Sequence, residues 1–86
     1  MWIDDLFLEI EAYAESIGIE SPEVDIDTHW IRGCGRVHIE SLPAKACGWK
    51  EYKFQHSTSS ESLKPIILDA GKDAANRLAR FVAMKH

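Results

Sequence analysis

Residues 24–42 read VDIDTHWIRGCGRVHIESL, two alternating apolar and polar runs on either side of Gly33-Cys34-Gly35. Alternation around a glycine-rich centre predicts a β-hairpin. Pairing Trp30 with Val37 and Thr28 with Ile39 gathers Val24, Ile26, Trp30, Val37 and Ile39 on one face. The other face then holds Asp27, His29, His38 and Glu40, with His29 across from His38. A one-residue slip would mix the two sets, so this register, or a two-residue shift of it, is expected. The strands fall at about 24–32 and 36–42, with the apolar set turned to the core.

Upstream, Ile3, Leu6, Phe7, Ile10, Tyr13, Ala14 and Ile17 recur at three- and four-residue spacing, which predicts a helix over about 3–17. Asp4 and Asp5 stand in its first turn, where the helix dipole favours carboxylates. Gly18 is placed for a left-handed C-terminal cap, with Ile19 able to fold back on the last turn. Downstream, Pro43 and Gly48 punctuate an aperiodic segment, and an aromatic strand is expected at about 49–56. There Tyr52 and Phe54 share the core face, while Trp49, Glu51 and Lys53 point away. Residues 57–62 are a polar linker in which Thr58 and Glu61 have capping-box spacing. Because the residue before a proline is disfavoured in the helical region, the last helix is expected to begin at Pro65 and run to about 84. Its apolar stripe includes Gly71, which marks either a close approach to another element or a break between two shorter helices.

The expected fold is α+β: one compact domain over 1–86, a two-layer sandwich in the order helix, three antiparallel strands, helix, with both helices on one face of the sheet. No apolar run approaches the ~20 residues needed to cross a bilayer, so no membrane partner is expected. The acidic, amphipathic start is unlike a signal peptide, which leads to a cytoplasmic expectation with Cys34 and Cys47 as free thiols.

Charge is divided sharply along the chain. Residues 1–31 carry nine acidic residues and no lysine or arginine, whereas the remaining 55 carry all ten basic residues against five acidic ones, giving −9 and +5. Such a split bears on partners and solubility rather than on fold. One reading is mutual neutralisation of the two halves. The other is an acidic strip of Asp5, Glu9, Glu11, Glu15, Glu20 and Glu23 that meets a basic surface.

The remaining candidates divide between chemistry and binding. The spacing of His29, Cys34, His38 and Cys47 matches no zinc pattern, and no nucleophile–base pair, glycine-rich phosphate loop or metalloprotease spacing is present. No catalytic residue, metal or cofactor is therefore expected, and the chain reads as a non-enzyme. Arg32 and Arg36 flank the expected Gly33-Cys34-Gly35 tip, and Lys72, Arg77 and Arg80 line the outer side of the last helix. Together they form an alternative nucleic-acid-binding set. Exposed Trp2, Leu8 or Trp49 would serve a homodimer, the alternative to a monomer.

The element order, together with Gly71-Lys72-Asp73-Ala74-Ala75-Asn76-Arg77-Leu78-Ala79, resembles the double-stranded RNA-binding domain. In that family the last helix opens with a lysine cluster on phosphates; here Lys72 is the match, and Asp73 falls inside the cluster. The resemblance implies an RNA-binding module using the basic set. In format, a small acidic domain with nothing catalytic is similar to phage-encoded inhibitors such as anti-CRISPR proteins. That similarity implies a protein partner engaged through the acidic strip, and it is the leading expectation.

Overall fold

The computed structural model describes residues 2–42 and 45–84. In chain order it contains α1 (Trp2–Ser16), β1 (Pro22–His29), β2 (Cys34–Ser41), β3 (Ala46–Lys53) and α2 (Ser60–Met84). The strands make one antiparallel sheet in the order β1-β2-β3, and the helices pack on it and on each other.

α1 forms as the apolar spacing requires, with Leu6, Ile10 and Ala14 buried. It ends in a Schellman cap. The Ile19 N–H donates to the Ala14 carbonyl at 3.0 Å, the Gly18 N–H to that of Glu15 at 3.1 Å, and Gly18 takes the left-handed φ of 94° that this geometry needs. Ile19 folds back into the core, as expected.

The strand faces are as the alternation predicts, but the hairpin register is not. Thr28 pairs with Gly35 instead of Ile39, Ile26 with Val37, and Val24 with Ile39, a displacement of four residues along β2. The turn is Trp30-Ile31-Arg32-Gly33, closed by the Gly33 N–H on the His29 carbonyl at 2.9 Å with Gly33 at φ 65°. Gly33, not the Gly33–Gly35 triplet, thus supplies the positive φ, and Cys34, Gly35 and Arg36 belong to β2. Trp30 leaves the core face for the turn, where it packs edge-on against Phe54 at 5.8 Å.

β3 begins at Ala46, three residues before the expected start, and carries Gly48 inside it. A Cβ at Gly48 would overlap the Ala74 carbonyl oxygen and lie 2.8 Å from the Leu78 nitrogen of α2. Glycine there is a contact residue rather than a breaker. Tyr52 is buried and Trp49, Glu51 and Lys53 exposed, as the alternation requires. The Pro43 expectation lies outside the described residues.

α2 starts at Ser60, five residues before Pro65, and is continuous through Gly71. Ser59 is the cap: its Oγ accepts the Ser62 N–H at 3.2 Å, while Glu61 bonds Lys64 at 3.2 Å instead of completing a box with Thr58. Fully buried Leu63 draws this first turn into the core, which offsets the backbone bond that Pro65 removes. Gly71 marks a close approach: a Cβ there would overlap the Ile10 side chain.

The buried set joins Leu6, Ile10 and Ala14 of α1 to Val37, Ile39 and Tyr52 of the sheet and Leu63, Ile67, Ala74 and Leu78 of α2 in one cluster. Tyr52 runs from β3 across Gly35, where a Cβ would strike its ring, to share a 2.6 Å hydrogen bond with Thr28 of β1. One phenol therefore ties all three strands. Burial pushes its pKa up, the Asp27 and Cys34 charges add to the rise, and the Thr28 hydrogen bond opposes it. The native state holds this proton more tightly than the unfolded chain does. Tyr52 thus contributes stability that is complete below about pH 10 and is lost as pH rises through the native pKa. Urea denaturation from roughly pH 9 to 11.5 should show wild type losing stability more steeply than Tyr52→Phe. Parallel curves would refute the assignment.

Candidate interaction surfaces

The acidic strip is exposed but not continuous. Asp5, Glu9, Glu15, Glu20 and Glu23 are exposed and Glu11 is half-buried. Helical geometry sets Asp5 and Glu9 along one flank of α1 and Glu11 and Glu15 along the other, with Ala12 and Leu8 (64% exposed) between them. Glu20 and Glu23 continue past the helix through the Ser21 turn into β1, and the Glu20 carbonyl accepts a hydrogen bond from Ser41 Oγ at 3.0 Å. None of the six carboxylates lies within ion-pair distance of a lysine or arginine among the described residues. The neutralisation of one half by the other is not built here through contacts to these six.

The basic set is scattered by the fold, with one convergence. Arg32 is exposed in the hairpin turn, whereas Arg36 lies inside β2, in the third ladder pair from that turn, between Asp27 and Glu51 in register. Lys72 stands over the Tyr13 ring at 5.5 Å, and Tyr13 Oη donates to Asn76 Oδ1 at 3.0 Å. Arg80 lines a separate depression with Ile17, Asp73 and Asn76. Lys72 is also far inside α2, whose first turn carries Glu61 and not a lysine cluster. Arg36 and Arg77, however, meet at Trp49, with guanidinium carbons 5.8 and 6.0 Å from the centre of its ring. Arg77 also donates to the Trp49 carbonyl at 2.9 Å. Trp49 remains 43% exposed, so this is an aromatic platform flanked by cations. The alternation of β2 and β3 already put Arg36 and Trp49 on one face; only the placement of α2 adds Arg77.

The polar sheet face rearranges with the register. His29 faces Cys34 rather than His38, and its Nε2 lies 3.2 Å from Asp27 Oδ2; His38 faces Asp25 on one side and Trp49 on the other. Cys34, expected at the hairpin tip, is thus directly across from a histidine. Among the described residues no group of three or more His, Cys, Asp and Glu is placed to hold a metal ion. Cys34 pairs with Lys53 and Cys47 with Glu40, at opposite ends of the sheet, and both are free thiols. Of the homodimer candidates, Leu8 and Trp49 are exposed and the Trp2 side chain lies outside the described residues. Two further exposed apolar residues, Trp30 and Ile31 (86%), crown the hairpin turn.

Among the described residues no helix is long and apolar enough to cross a membrane. Comparison with family models, curated proteins and solved structures gives no match to this chain.

Proposed function

We propose that this chain is a small interaction domain that binds a partner protein through its acidic surface, in the format of phage- or mobile-element-encoded inhibitors. The observation that carries this reading is the set Asp5, Glu9, Glu11, Glu15, Glu20 and Glu23, which has no lysine or arginine partner among the described residues. Like charges held together repel, and a cationic groove relieves that repulsion while steering the encounter. The reading takes the fold as a single-domain two-layer sandwich with both helices on one sheet face, acting in the cytoplasm where its thiols stay reduced. Supporting it, inward residues of the sheet and of both helices share one core cluster.

The test is the salt dependence of binding to the partner captured from the host. Affinity should fall at least about tenfold between roughly 0.05 and 0.3 M salt, and Glu9→Lys with Glu15→Lys should weaken it by a similar factor. Binding that persists unchanged at about 1 M salt, where the screening length is about 3 Å, overturns the electrostatic basis.

A second reading rests on the Arg36–Trp49–Arg77 convergence: a nucleic-acid module, dsRBD-like in element order, that engages phosphate and base at that platform. No gel shift at tens of micromolar protein and low salt would remove it, since non-specific binders reach about that affinity.

A further inference from the structure

The sheet has two edge strands. On β3, the Arg77 side chain reaches over from α2 to the Trp49 carbonyl, and no backbone hydrogen bond from another described segment reaches residues 46–53. On β1, no backbone hydrogen bond from another described segment reaches residues 22–28. Alternate residues of such a strand turn their N–H and C=O groups outward, and of the eight residues of β1 all but Pro22 carry an N–H.

Burial is graded across the sheet. The inward residues Gly35, Val37, Ile39 and Ser41 of β2 are buried, whereas the inward residues Val24 and Ile26 of β1 are half-covered. The core is therefore unfinished along this margin. On its other side β1 presents Glu23, Asp25 and Asp27 at alternate positions. Asp27 is engaged by His29, and Glu23 and Asp25 have no described cationic partner.

We propose that β1 is a strand-addition site whose occupant is an extended partner segment with apolar and basic residues in alternation. Its backbone completes the open ladder, its apolar side chains extend the Val24–Ile26 row, and its lysines or arginines stand beside Glu23, Asp25 and Asp27. A second copy of this chain is the wrong occupant. Pairing β1 with itself sets carboxylates beside carboxylates, and like charges opposed across strands are destabilising. The same acidic row that admits a cationic strand thus keeps the chain from pairing with itself. This inference rests on the acidic-surface reading above and narrows it to one edge and one partner chemistry.

The test uses the full chain, ¹⁵N-labelled, titrated with a capped eight-residue peptide of alternating lysine and valine, matched to the length of β1. A peptide of the same composition arranged as a lysine block followed by a valine block is the control. The alternating peptide should perturb the amides of residues 23–29 most, slow hydrogen exchange at alternate β1 amides, and bind at least about tenfold tighter than the block peptide. Asp25→Lys, an exposed substitution that leaves the core intact, should weaken it about fivefold, the scale of one opposed-charge pair made repulsive. Equal affinity for both peptides, with perturbation centred on Glu9 and Glu15 of α1, overturns strand addition while leaving the acidic-surface reading standing. No binding of the alternating peptide at about 1 mM overturns strand addition, and the salt titration then judges the broader reading separately. Dimerisation of the free chain through β1 overturns the choice of occupant.

Discussion

Gly48→Ala is expected to destabilise the fold by about 3 kcal/mol, the upper end of the usual range for overpacking. Most added methyl groups in a core push against the ends of side chains, which yield. Here the new Cβ would meet the Ala74 carbonyl oxygen and lie 2.8 Å from the Leu78 nitrogen, both backbone atoms of α2. Moving them means shifting a 25-residue helix whose other contacts, through Leu63, Ile67 and Leu78, are fully buried. A folded chain of 86 residues has about 4–13 kcal/mol in total, so the loss is a large part of its stability. Urea denaturation measures it directly. A midpoint close to wild type, with an unchanged m-value, would mean that β3 and α2 are not in backbone contact.

The second large effect is a reversal of sign. Ile10→Ala removes a fully buried side chain and should cost about 3–4 kcal/mol, transfer and cavity terms together. Gly71→Ala in the wild-type chain gains about 1 kcal/mol of helix propensity but drives a methyl into Ile10, whose Cγ1 would lie 2.6 Å away. Its net effect should be destabilising by about 1 kcal/mol. In the Ile10→Ala background the obstruction is gone, and the same Gly71→Ala should stabilise by about 1 kcal/mol. A double-mutant cycle would then show a coupling of about 2 kcal/mol, within the range for residues in contact. Additivity within about 0.5 kcal/mol would place α1 and α2 apart at this point.

Both glycines show where the sequence is legible and where it is not. A period of two assigns strand residues to faces but is unchanged by any even shift, so the faces of β1 and β2 follow from the pattern and their pairing does not. The register is settled by which glycine closes the turn. Gly33 does so, and Gly35 is held in the strand because Tyr52 crosses over it. Locally, Gly48 resembles a strand breaker and Pro65 a helix start, and in each case a tertiary contact prevails: α2 against Gly48, buried Leu63 behind the Ser59 cap. The acidic character of the first 31 residues is legible in the order of the chain, while the division of its carboxylates between two flanks of α1 follows from helical geometry. The meeting of Arg36, Arg77 and Trp49 is not legible there, because it needs the β2–β3 register and the seat of α2 together.

The hydrogen bond from Arg77 to the Trp49 carbonyl bears on how this sheet can grow. Fibrils and open-ended stacks propagate because each chain that joins at one edge offers a fresh edge at the other. On β3 the Trp49 carbonyl is already taken by Arg77, so a strand approaching that edge must displace the guanidinium or forgo one ladder bond. The two margins of the sheet are therefore unequal templates for growth, and replacing Arg77 would make them more alike.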